Sequence, residues 1–197
     1  MKRLATCLVL LATPALADET ACIAITDDAA RLSCYDDLFG APPPAAPPVE
    51  TAWETRIERS DMTDDTNVYL TVQSNEPVHC GWGAGGHPTL YLRCRENTTA
   101  VIFSTGCHMA SGFGGYGQVT YRLDRNDPRE RGFTESTNNR SLGLWRGGQA
   151  IPFIRDMFGH DTLRARMTPF SENAIEMTFD ISGVEEAVTP LREACNW

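Results

Sequence analysis

The chain has 197 residues, 42% of them hydrophobic, enough to bury one proper core. Its 17 basic residues face 26 acidic ones, a formal charge of −9, and the arginines are scattered without forming a basic run. Such a surface repels nucleic acid and anionic lipid, so neither is expected as a partner.

The N-terminus sets the compartment. Lys2 and Arg3 precede an apolar run that ends at Ala12, interrupted only by Thr6. A Thr13-Pro14 break and the small-residue end Ala15-Leu16-Ala17 follow. This is the pattern of a cleavable secretory signal over residues 1–17, cut before Asp18. The run falls short of the roughly 20 apolar residues that a spanning helix needs. A soluble exported product with no membrane insertion after cleavage is therefore expected. Loss of Lys2 and Arg3 leaves 15 arginines against 26 acids, a mature charge of about −11.

Cleavage also removes Cys7 and leaves Cys22, Cys34, Cys80, Cys94, Cys107 and Cys195, an even set that favours three disulfides in an oxidising compartment. Residues 18–40 read as two short helical pieces, with Asp27 and Asp28 opening the second and Gly40 ending it. Cys22 and Cys34 both lie in this small unit, which has too little core to stand without a staple, and they are paired. Residues 41–52 form a Pro-rich linker: five prolines in the ten residues 41–50 exclude a helix interior or a central strand and favour an extended spacer.

Residues 53–197 carry a mainly strand-like pattern. Apolar and polar residues alternate over 67–74 and over 89–104, the latter folding back at Glu96-Asn97. Strands at 118–124, 141–145, 161–167 and 173–181 continue the series. A helix is expected over 150–158, stopped at Gly159. Another is expected over 183–195, opened by a Ser182/Glu185 capping box and kinked at Pro190. The acidic stretch 60–65 reads as a solvated turn, and the mixed charges of 124–132 as an exposed hairpin loop. These elements predict a β-sandwich or barrel-like domain with peripheral helices.

Gly112-x-Gly114-x-x-Gly117 spells the dinucleotide fingerprint, which requires a helix to begin inside it. Here the alternating strand 118–124 leaves it instead, so no nucleotide cofactor is expected and the glycines read as an inter-strand loop. Phe113 and Tyr116 in that loop are candidate partner-binding residues, since aromatics anchor interfaces. His79-Cys80 and Cys107-His108 suggest a metal. Adjacent residues of extended chain point to opposite sides, however, so a Cys80–Cys107 disulfide is the simpler reading and a thiolate metal site the alternative. The same geometry speaks against a Cys-His dyad, and Ser111 lacks the preceding glycine of a nucleophile elbow. Cys94 and Cys195 remain, and bonding them closes a loop of about 100 residues, worth roughly 4.7 kcal/mol in chain entropy.

An ordered set of stretches resembles one family. They are "CIAITDDAARLSCYDDL", "PTLYLRCRENTTAVIF", "VTYRLD", "STNN" and the closing "ISGVEEAVTPLREACNW". Together they are similar to the VasI/TagO family of type VI secretion system-associated accessory proteins. The resemblance centres on Arg31-Leu32-x-Cys34-Tyr35-Asp36, Pro88-x-Leu90-x-x-Arg93-Cys94 and Cys195-x-Trp197. It implies an exported, periplasmic accessory that binds an envelope or secretion-system protein, without catalytic residues or cofactor, and Cys94 paired with Cys195. Cys80, Cys107 and the glycine-rich insertion depart from the pattern, as does Phe133, where a tryptophan is expected. The alternative is a periplasmic metal-dependent hydrolase acting on the cell envelope. It requires a cleft that collects residues such as Asp65, His79, His87 and His108.

Overall fold

The computed structural model describes residues 22–40, 51–81 and 85–197. The expected signal segment and the proline stretch 41–50 lie outside those residues. The chain divides into two compact units, Met1–Pro48 and Val49–Trp197.

In the first unit, helix α1 spans Asp28–Phe39. Asp27, in extended backbone, caps it by accepting a 2.9 Å hydrogen bond from the Ala30 N–H. Asp28 adds a negative charge in the first turn, where the helix dipole favours it. No residue of α1 is buried, so apolar burial along the helix does little to hold it. The Cys22–Cys34 disulfide, with Cα atoms 5.6 Å apart, supplies the constraint instead.

The second unit is built from two antiparallel sheets. The larger comprises β1 (Glu54–Arg59), β2 (Thr66–Gln73), β3 (Thr89–Arg95), β4 (Thr98–Ser104), β7 (Thr134–Glu135) and β8 (Ser141–Leu144). Its spatial order is β1-β2-β3-β4-β8-β7. The smaller runs β10-β9-β5-β6, from β5 (Gln118–Leu123), β6 (Arg129–Gly132), β9 (Thr162–Met167) and β10 (Ile175–Asp180). Neither sheet closes on itself, so the architecture is sandwich-like, with helices α2 (Gly147–Asp156), α3 (Val184–Ala187) and α4 (Thr189–Cys195) beside the sheets.

The strict alternation of strand side chains sorts residues into inner and outer faces. Val68, Leu70 and Val72 of β2, Leu90, Leu92 and Cys94 of β3, and Val119, Tyr121 and Leu123 of β5 all turn inward and are buried. Phe103 of β4 joins the layers. Its ring centroid lies 5.8 Å from Phe179 of β10, 6.4 Å from Phe153 of α2 and 5.4 Å from Phe133. Phe133, at the position where the family resemblance led us to expect tryptophan, is a buried member of this cluster. The β3–β4 hairpin turns at Glu96 and Asn97, with φ of 48° and 54°, the paired left-handed geometry that tight hairpins favour. Buried Asn67 accepts the Glu96 N–H at 2.9 Å and fixes that turn.

The structure corrects several expectations. Residues 129–132 are not a loop: β6 pairs with β5, from Gln118↔Gly132 to Tyr121↔Arg129. Strand β1 was invisible because its sequence, ETRIER, is almost wholly exposed and has no alternating apolar set. Its charges suit an edge that must not recruit another strand. The Ser182 capping box does not form. Ser182 Oγ donates to Asp180 Oδ1 at 2.6 Å, and Gly183 opens α3 in the left-handed region at φ 70°. The closing helical stretch splits into α3 and α4 at Val188, two residues before Pro190, which takes its place in the first turn of α4. His160 joins a polar tie between two strands. Its Nδ1 lies 2.7 Å from Asp124 Oδ2, while Asp124 Oδ1 accepts the N–H groups of Asp161 and Thr162, tying the end of β5 to the start of β9.

Cys94 and Cys195, 101 residues apart in sequence, are bonded and buried beneath α4. Replacing both by Ala should lower unfolding stability by about 4.7 kcal/mol, against about 3.6 kcal/mol for the shorter Cys80–Cys107 loop. Urea denaturation followed by circular dichroism checks both the magnitude and the order of the two losses.

Candidate functional site

Three connections meet at one end of the second unit: β2 to β3 (described over 74–81 and 85–88), β4 to β5 (105–117) and β9 to β10 (168–174). The Phe170 N–H donates to His108 O at 2.8 Å, the Ser171 N–H to the Tyr116 hydroxyl at 3.1 Å, and the Gly81 N–H to Glu172 Oε2 at 2.9 Å. The Cys80–Cys107 disulfide, with Cα atoms 5.6 Å apart, joins the first two connections covalently. Asn139 closes the layer from beside β8. Its backbone carbonyl and side-chain amide both engage Met109: the Met109 N–H donates to Asn139 O at 2.7 Å, and Asn139 Nδ2 donates to Met109 O at 3.3 Å. The stretch 136–139, part of the sequence resemblance, thus anchors the glycine-rich excursion.

The excursion is a turn and not a phosphate cradle. Gly112, Gly114, Gly115 and Gly117 all adopt positive φ, and β5 begins directly at Gln118. Gly117 is the position that tolerates nothing larger. Its φ is 83°, and a Cβ there would stand 2.6 Å from Phe133 O.

This turn holds Phe113 and Tyr116 edge-to-face, with ring centroids 5.4 Å apart. Phe170, from the β9–β10 connection, completes a triangle at 5.5 Å from Tyr116 and 6.4 Å from Phe113. The His108 ring backs it at 5.6 Å. Phe113 is 58% exposed and Phe170 39%, so the cluster presents its apolar faces outward. Each ring limits the freedom of the next, which lowers the ordering cost of binding. Phe170 escaped the sequence reading because it lies far along the chain. Its signal is an aromatic inside the polar turn Pro169–Glu172 between two alternating strands.

The metal-ligating candidates are dispersed. Cys80 and Cys107 are bonded to each other, His87 Nδ1 is engaged by Ser74 O at 2.8 Å, and His108 lies against Phe170. His79 is exposed. Asp65 sits in the β1–β2 turn, where its carbonyl accepts the Ser60 N–H at 2.9 Å. Among the described residues no three His, Cys, Asp or Glu side chains converge, so Asp65, His79, His87 and His108 do not assemble into the cleft a hydrolase requires.

A family model described as "Type VI secretion system VasI, EvfG, VC_A0118" matches residues 21–197. No curated protein and no solved structure matches the chain.

The entrance to the aromatic turn is held by a hydrogen bond that Ser111 Oγ donates to Glu135 Oε2. This bond, with a backbone N–H, holds the Glu135 carboxyl below its ordinary range. A depressed folded-state value stabilises the fold above the unfolded carboxyl's pKa, about 4.3, and that contribution is lost as pH falls through the folded-state value. Ser111→Ala should return Glu135 toward ordinary titration and speed amide exchange over residues 112–117 at neutral pH. Carboxyl NMR titration reads the first effect and hydrogen exchange the second.

Proposed function

Because the chain belongs to the VasI family of the type VI secretion system, we propose that it is an exported, non-enzymatic accessory factor that docks another protein. The partner is a component of the secretion apparatus or of the cell envelope around it. Three disulfides support maturation in an oxidising compartment, in line with the N-terminal signal pattern. Among the described residues no helix is long and apolar enough to cross a membrane.

The observation that carries the docking role is the exposed triangle of Phe113, Tyr116 and Phe170. Aromatic side chains of this size ordinarily bury, and a fixed, outward-facing group of them has the composition of an interface anchor. Disulfide and backbone bonds hold the surrounding loops, so the rings meet a partner largely preformed. At interfaces such anchors contribute about 2 kcal/mol or more each when fully desolvated.

Affinity capture from the periplasm of a host carrying the secretion cluster tests both layers of this reading. Wild-type protein should retain a secretion or envelope component, and Phe113→Ser combined with Tyr116→Ser should reduce recovery by at least tenfold with the melting transition unchanged. Equal recovery by the double variant would remove the aromatic cluster from the interface. Recovery of no such component by the wild type would refute the docking role.

A further inference from the structure

The outward face of the larger sheet carries a second concavity, built around Arg93, that the aromatic cluster does not use. The alternation that buries Leu92 and Cys94 places Tyr91 and Arg93 on the opposite side. Tyr69 stands directly across from Arg93 on β2, and Ile102 across from Tyr91 on β4. Trp145, just past β8, folds back over this face. A Cβ on Gly143 would stand 2.5 Å from the indole, so the ring occupies the space that the missing side chain leaves. Its Nε1–H donates to Thr134 O at 3.0 Å, which fixes the ring as one wall. The β7–β8 turn at residues 136–138 forms the other. The groove between them encloses about 560 Å³, within the range of ligand sites.

Arg93 is the one cation among the residues that line this groove. Its Cζ lies 6.0 Å from the centroid of the Trp145 ring, and its Nε is buried without a hydrogen-bond partner among the described residues. No carboxylate among the described residues pairs with it. Glu135 also lines the groove, but its carboxylate accepts from Ser111, and Glu58 on β1 pairs with Arg56. A half-desolvated guanidinium keeps its charge and its forked donors, and an arriving carboxylate would pair that charge through the terminal N–H groups.

We infer that this groove binds an acidic peptide segment of a partner protein, with an Asp or Glu carboxylate on Arg93 and a neighbouring apolar side chain against Trp145 and Ile102. Charge complementarity sets the acid. The apolar flank follows from the indole and Ile102, and the hydroxyls of Ser104 and Ser141, opposed across β4 and β8, offer donors to the peptide backbone. The groove shares no residue with the Phe113 cluster, so this inference and the docking role proposed above fail or hold independently.

The test titrates the nitrogen-15-labelled full mature chain with N-acetyl-Ala-Leu-Glu-Leu-Ala-amide and with the same peptide carrying Gln in place of Glu. The acidic peptide should shift the Trp145 Nε1–H and Arg93 Nε–H signals saturably, and the Gln peptide should bind about tenfold more weakly, the usual scale for a lost charge-assisted bond. Arg93→Gln should weaken the acidic peptide by a similar factor, whereas Arg56→Gln, on β1 beyond β2, should not. Comparable binding of the two peptides by the wild type would overturn the inference without relying on any variant. So would the absence of saturable shifts at these two signals, or stronger binding by an uncharged N-acetylglucosamine trimer.

Discussion

Extended chain throws consecutive side chains to opposite sides, and in β3 that rule divides the molecule's labour at a single peptide bond. Cys94 points inward and is bonded to Cys195, while Arg93 points outward into the groove. The tie inside keeps α4 against the larger sheet, and the rigid sheet in turn gives the outer face a fixed shape. A slip of one residue in the register of β3 would exchange the two, leaving a guanidinium in the core and a thiol on the surface. The pairing of β3 with β4 from Thr89 to Arg95 and with β2 from Thr89 to Cys94 holds that register.

Where the sheets end, covalent and polar ties take over from apolar burial. The Cys80–Cys107 bond, the reciprocal contacts of Asn139 with Met109 and the backbone bonds among the three connections hold loops that have few large apolar residues to bury. The aromatic rings of Phe113 and Phe170 consequently face outward, and the loops do not need them as a core. Type VI secretion membership is carried by the match over residues 21–197, while the surfaces described here are particular arrangements of this chain's own residues.

What was legible in the sequence follows from how local each signal is. Strands β2, β3, β5, β9 and β10 each bury one face, so their alternation marks them, and the Glu96-Asn97 turn reveals the hairpin that adds β4, which is buried on both faces. β1 and β6 have no such face. They are set by hydrogen bonding to β2 and β5, which no window of six residues can display. Ser182 had the right spacing for a capping box, but Asp180 captured its hydroxyl, a competition visible only in three dimensions. Phe113 and Tyr116 were open to inspection as aromatics in a glycine turn, whereas Phe170 joins them only because β9 and β10 return to the same end. The groove was hidden for a similar reason: Arg93, Ile102 and Trp145 come from different strands and become neighbours only through the register.

Gly143 deserves a different kind of reading from the glycines of the aromatic turn. Its backbone is ordinary strand and needs no left-handed freedom, and the strand pairing around it would accept a larger residue. Only the indole of Trp145 objects. Recognition and folding are therefore encoded separately at this point: a single methyl group would evict the tryptophan from its seat while leaving the sheet intact. Natural variation at position 143 can thus retire or reshape this surface without endangering the scaffold that carries it.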